Sequence, residues 1–108
     1  MAYCYWVVDQ YSKQAGIKNP LYKTGHVGKQ YRMCPALRVT KPKPGDIFIM
    51  IFKDGSGHCG FVERVEGDKI FTIEGNSNKD GSTNGYEVCR RAGGRPIKEI
   101  KIFLRVVQ

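Results

Sequence analysis

The order of apolar and polar residues divides the chain into a helical first part and a strand-rich second part. Apolar residues recur at spacings of three and four, as on one face of a helix, at Val7, Val8, Tyr11 and Ala15. Gly16 follows as a C-terminal stop, so the pattern predicts an amphipathic helix over residues 3–15. A second helix is predicted over residues 24–33, with Thr24 as its N-cap.

Five apolar runs follow the turn signal KPKPGD and predict strands: IFIMIF, GFVERV, KIFTIE, YEVCRR and IKIFLRV. The segment EGDK between the second and third runs is typical of a tight hairpin, whereas GNSNKDGSTNG predicts a longer polar loop. The fold class is therefore predicted to be α+β. The N-terminal helix is expected to pack on a mostly antiparallel sheet of about five strands.

Length and composition favour one domain of 108 residues, and the lack of a signal peptide leads us to expect that it is made in the cytoplasm. The longest apolar run, residues 47–52, is far below the roughly 20 residues that span a bilayer, so we expect no membrane insertion. No basic segment precedes the first apolar residues, and Asp9 soon follows them, which argues against a secretory signal peptide. The net charge of +8 attracts polyanions but identifies no partner.

Four cysteines, at positions 4, 34, 59 and 89, form no CxxC pair, which argues against a structural zinc site. A domain of this size has enough core to fold without disulfides, so we expect reduced thiols. Each cysteine is then either a small buried residue or a nucleophile. Packing is the default interpretation for Cys34 and Cys89. Cys59 is also expected in the core, because strand alternation points it away from the neighbouring His58.

A candidate catalytic group combines the first helix with one end of the predicted sheet. Cys4 lies in the first helical turn, where the helix dipole favours a reactive thiolate. His58 opens one strand, and a turn at residues 67–68 folds the next strand back, which brings Glu74 beside His58. Asn76 would lie just past this pair. Taken singly, Cys4 could equally be a buried structural cysteine and His58 a strand-end histidine.

Other residues near this group have open interpretations. His26 is a rival base, but a surface role at a helix end fits it better because no acid follows at hairpin distance. Three aromatic residues flank the candidate nucleophile and could form a cleft wall that binds substrate: Tyr3, Tyr5 and Trp6. Ordinary core packing is as good an explanation for Trp6.

The motifs together resemble the CHAP domain, the cysteine- and histidine-dependent amidohydrolase and peptidase of phage lysins and bacterial wall hydrolases, related to NlpC-type enzymes. The resemblance covers residues 3–91 and is carried by Cys4 opening a helix, Pro44-Gly45-Asp46, Gly57-His58-Cys59-Gly60-Phe61-Val62 and Glu74-Gly75-Asn76. It implies a papain-like fold. It also implies Cys4 as nucleophile, His58 as base, and Glu74 with Asn76 orienting the histidine.

The resemblance further implies an endolysin-like cysteine peptidase or amidase that cleaves peptidoglycan after release from the cytoplasm and needs no cofactor. Anionic wall polymers are a second expected partner. Some relatives hold calcium in an Asp-rich loop near the cysteine, but Asp9 is the only acid before Asp46, so a chelator should leave activity unchanged. The family usually has a helical segment and a loop upstream of the cysteine, whereas three residues precede Cys4 here.

Two hypotheses in which the protein is not an enzyme remain open. An inactive wall-binding or toxin-like module could use the same fold. A small nucleic-acid-binding domain would use the positive charge and the strand aromatics Phe61 and Phe71, but Gly60-Phe61-Val62 matches only a short part of the RRM strand motif, so nucleic acid is an unlikely partner.

Overall fold

The computed structural model describes residues 2–24, 26–77, 86–91 and 93–106, and it confirms the α+β fold class. Two helices come first, α1 (Ala2–Ala15) and α2 (Val27–Met33). The strands are β1 (Arg38–Val39), β2 (Ile47–Ile51), β3 (Gly57–Glu66), β4 (Lys69–Ser77), β5 (Tyr86–Arg90), β6 (Arg95–Pro96) and β7 (Ile102–Leu104). None of the helices in this part of the chain is long and apolar enough to cross a membrane.

The described strands form one antiparallel sheet in the order β1-β7-β2-β3-β4-β5. β6 pairs with the first residues of β4, on the same edge as β5. All five predicted strands are present, and β1 and β6 are additional. Each of these two has only two residues, too few for a recognisable alternation of apolar and polar positions.

The first helix agrees with the sequence pattern, and the second begins later than predicted. α1 ends before Gly16, whose φ of 70° is the left-handed conformation that glycine adopts at helix ends. α2 begins at Val27, and Nδ1 of His26 caps it by accepting a hydrogen bond from the Lys29 backbone N–H at 3.2 Å. Thr24 is therefore not the N-cap. Its hydroxyl instead accepts from the backbone N–H of His26, and the predicted helix-end role of His26 is confirmed.

Strand alternation gives the sheet two apolar faces. The helix face carries Ile47, Ile49, Cys59 and Leu104, which pack against Cys4, Val8, Leu21 and Val27 from the helices and the connection between them. The far face carries Phe48, Met50, Val62, Ile70 and Phe103. The burial of Cys59 and Cys34 confirms their predicted packing roles, and the Cys89 side chain lies outside the described part of the chain.

The Pro44-Gly45-Asp46 motif has a structural role at the start of β2. Gly45 has a φ of 93°, and the buried Asp46 accepts a hydrogen bond from the Lys43 backbone N–H at 2.8 Å. Both oxygens of Asp46 also accept from Arg105, at 3.0 and 2.9 Å. Because Arg105 follows β7, this ion pair joins the entry of β2 to the end of the described chain.

Candidate active site

His58 and Glu74 meet on the far face, near one end of the sheet. The turn at Gly67, which has a φ of 60°, folds β4 back along β3. Nε2 of His58 lies 2.6 Å from Oε1 of Glu74. Because a carboxylate only accepts, Nε2 carries the hydrogen, and in the neutral imidazole Nδ1 then keeps its lone pair. The Phe48 ring packs edge-on against the imidazole, with 5.8 Å between centroids. The hairpin thus forms the predicted contact.

Two further side chains hold the Glu74 carboxylate. Nε and Nη2 of Arg95 donate to its two oxygens at 2.8 and 3.0 Å, and the Thr72 hydroxyl donates to Oε2 at 2.6 Å. Glu74 is only 4% exposed, and burial alone would raise its pKa. The hydrogen bonds from His58, Arg95 and Thr72 outweigh burial and hold the pKa of Glu74 well below its usual range. Glu74 is therefore an ionised acceptor at neutral pH.

Arg95 and Thr72 were not among the site residues predicted from the sequence. Thr72 could have been found, because it lies two residues before Glu74 on the same strand and so points to the same face. Arg95 had no such signal. It reaches Glu74 only because β6 pairs with β4, with Arg95 opposite Ile70.

Cys4 lies on the helix face, where its sulfur is 3.6 Å from that of Cys59. Cys4 is 1% exposed and Cys59 is 7% exposed, so neither thiol lines an open cleft. The hydrogen bond from Cys4 lowers the pKa of Cys59 to about 6, while the same bond and burial raise the pKa of Cys4 well above its usual range. Burial and the neighbouring sulfur thus outweigh the expected effect of the helix dipole on Cys4.

The structure brings His58 to Glu74 but does not bring Cys4 to His58. The neighbours His58 and Cys59 point to opposite faces of β3, and Cys4 contacts Cys59. His58 is only the second residue of β3, so only the short first end of this strand separates the Cys4 thiol from the His58 imidazole. The backbone of Asn76 pairs with Glu87 in the sheet, and the Asn76 side chain lies outside the described part of the chain.

Glycines in the motifs make room for these contacts. A Cβ on Gly60 would lie 2.7 Å from the Phe48 ring, 2.8 Å from the Ile73 carbonyl oxygen and 3.0 Å from the side chain of Glu74. On the helix face, a Cβ on Gly75 would lie 2.8 Å from the Tyr3 ring. The first glycine allows the Glu74 side chain to cross β3, and the second allows the start of α1 to lie directly on β4.

The aromatic residues beside Cys4 differ in exposure. Tyr3 and Tyr5 are partly buried against the helix-face core, and the Tyr3 ring meets Phe61 edge-on with 5.9 Å between centroids. Trp6 is 60% exposed, so core packing was a wrong interpretation of this residue. Of the three, Trp6 offers the most surface to a ligand.

Two features of the described residues concern the side chains that metal ions and nucleic-acid bases would contact. Within the ranges described, no group of three or more Cys, His, Asp or Glu side chains could hold a metal ion. Phe61 packs beneath Tyr3, and the Arg64 guanidinium lies 3.9 Å from the centroid of the Phe71 ring. Neither phenylalanine presents a bare ring on which a base could stack.

Comparison with known proteins gives one match. The family model of the CHAP domain matches residues 1–76, about the first two thirds of the chain. The matched range contains Cys4, His58 and Glu74, and it ends before the strand that carries Arg95. No curated protein and no solved structure matches the chain.

Proposed function

Because this chain belongs to the CHAP domain family, a family of peptidoglycan hydrolases in general, we propose that it is a thiol-dependent amidase or endopeptidase that cleaves an amide bond of peptidoglycan. One observation carries the proposal: the 2.6 Å contact between His58 and an ionised, buried Glu74. That contact orients an imidazole and stabilises its protonated form, which is what a base for a thiol requires.

In the proposed reaction, Nδ1 of His58 takes the proton of the Cys4 thiol, and the thiolate attacks the carbonyl carbon of the substrate. The imidazolium then protonates the leaving amine as the C–N bond breaks, and a thioester forms on Cys4. Water hydrolyses the thioester and regenerates the thiol. Glu74 stays ionised throughout, while Arg95 and Thr72 act as positioning residues for its carboxylate.

This reaction requires Cys4 to leave Cys59 and approach His58. The first turn of α1 would have to shift around the end of β3, past Gly57. We therefore propose that the arrangement with the two sulfurs in contact is a resting state. Substrate that binds beside the exposed Trp6 could supply the free energy for the shift.

Digestion of purified sacculi tests the proposed function. We expect soluble fragments from the native protein and from Cys34→Ala, a matched variant at another buried cysteine, and none from Cys4→Ala or His58→Ala. Fragment masses would identify the bond, either between muramic acid and L-alanine or within a stem or cross-bridge peptide. Undiminished release by folded Cys4→Ala would contradict the proposal.

The buried contact between Cys4 and Cys59 favours a second candidate, an inactive module that binds the wall without cutting it. Such a module would sediment with sacculi and release no fragments. Cys4→Ala would then bind as well as the native protein, because the thiol would have no role. Turnover that depends on Cys4 would exclude this candidate.

A further inference from the structure

We infer that Cys4 and Cys59 form a reversible disulfide, which makes the pair a peroxide-sensitive modification site. The two residues are 55 positions apart in sequence, and their sulfurs lie 3.6 Å apart, within hydrogen-bond reach. A disulfide bond is about 2.0 Å long, so the sulfurs need to approach by only about 1.6 Å. Rotation of two side chains and a small shift of the first turn of α1 can supply this distance.

The environment of the pair decides which thiol reacts first and with what oxidant. The hydrogen bond from Cys4 lowers the pKa of Cys59, which favours the thiolate on Cys59 over the thiolate on Cys4. Both cysteines are buried, at 1% and 7% exposure. A small uncharged oxidant therefore reaches them more easily than a bulky disulfide such as oxidised glutathione. We take hydrogen peroxide as the oxidant.

The oxidation proceeds in two balanced steps. The Cys59 thiolate attacks one oxygen of hydrogen peroxide and the O–O bond breaks, which gives a sulfenic acid on Cys59 and releases hydroxide. This hydroxide takes up the proton that the Cys59 thiol lost on ionisation and becomes water. The Cys4 sulfur then attacks the Cys59 sulfur, and the S–O bond breaks. Hydroxide leaves and takes up the proton of the Cys4 thiol to form water. Overall, two thiols are oxidised to one disulfide and one peroxide is reduced to two waters.

Oxidation would have a direct consequence for catalysis. A disulfide would block the Cys4 sulfur and hold the first turn of α1 against β3, away from His58. This consequence rests on the proposed function, whereas the disulfide itself does not. The disulfide would also join two distant parts of the chain and restrict the unfolded state, so the oxidised form should have a higher Tm.

Peptide mapping after mild oxidation tests the inference without any substrate. Reduced protein is treated with one equivalent of hydrogen peroxide at pH 7.5, quenched with acid, alkylated under denaturing conditions and digested with trypsin. The four cysteines fall on four tryptic peptides, residues 1–13, 33–38, 54–64 and 80–90. We expect peptides 1–13 and 54–64 to be joined, the loss of two alkylatable thiols, and full recovery of both with dithiothreitol.

Two cysteine variants serve as controls. Cys34→Ala should form the same link, because Cys34 lies at the end of α2 and its thiol bonds to Gln30. Cys59→Ala should form no link and show no rise in Tm. Four alkylatable thiols after a tenfold excess of peroxide, or Cys4 linked to Cys34 or Cys89, would overturn the inference.

Activity is measured separately on the same samples. The oxidised native protein should lose at least about 90% of its hydrolysis and regain it with dithiothreitol, because only a free thiolate is a nucleophile. If the link forms but the reduced protein releases no fragments, the proposed function fails and the disulfide stands. If the linked protein hydrolyses as fast as the reduced one, blockage of catalysis by the disulfide is refuted.

Discussion

Replacement of Arg95 by methionine should destabilise the fold by about 2 to 3 kcal/mol at pH 7. Removal of one partner of a buried ion pair costs about 3 to 5 kcal/mol, because the other charge stays buried. Arg95 retains 16% side-chain exposure, and Glu74 keeps its bonds to His58 and Thr72, which places the expected cost below that range. For a domain of this length the loss lowers Tm by on the order of 10 °C.

Chemical denaturation followed by far-UV circular dichroism measures this loss. Arg105→Met is a matched control, because Arg105 makes a similar two-bond ion pair with a buried aspartate, Asp46, at another part of the sheet. Both variants should lose stability. Under conditions where both are folded, only Arg95→Met should lower kcat, and Arg95→Lys should retain part of it.

The pH dependence separates the ion pair from general packing. The folded-state pKa of Glu74 is depressed, so its stabilising contribution is complete above the unfolded pKa of about 4.3 and is lost as the pH falls toward the folded value. The difference between native protein and Arg95→Met should therefore shrink below about pH 4. The ion pair would not stabilise the fold as argued if Arg95→Met lowered the free energy of unfolding by less than about 0.5 kcal/mol at pH 7, or by an amount independent of pH.

Three other variants test the site and its surroundings. Glu74→Gln should lower kcat by roughly 10- to 10⁴-fold. It should also lower the free energy of unfolding by about 1 to 3 kcal/mol, because Arg95 loses its charged acceptor. Unimpaired turnover would show that Glu74 has no role in catalysis. Gly60→Ala should lower the free energy of unfolding by about 1 to 3 kcal/mol, measured by thermal melting. Gly93→Ala should leave it unchanged, because nothing lies within 4 Å of the added Cβ. Equal melting temperatures for the two variants would contradict the steric argument. His26→Ala should lower the free energy of unfolding by about 1 kcal/mol, because α2 loses its N-cap, and should leave hydrolysis unchanged. Loss of hydrolysis in this variant would indicate that His26 is the catalytic base.

Local patterns along the chain were enough to predict most of the fold and one contact of the candidate site. The helix before Gly16 and the five longer strands follow from the spacing of apolar residues and from turn residues. The contact between His58 and Glu74 follows from one hairpin, because a short turn fixes which residues of adjacent strands meet. Such predictions need no knowledge of how distant segments pack.

The tertiary structure decided what surrounds each candidate residue. Arg95 reaches Glu74 because the two-residue strand β6 pairs at the edge of β4, and no periodicity marks so short an element. Cys4 meets Cys59 because α1 packs on the face of β3 opposite His58; the sequence places a cysteine in the first turn, but it does not determine the face on which that helix packs. Burial, charge compensation and sulfur contacts depend on segments far apart in the chain, so only the assembled fold determines them.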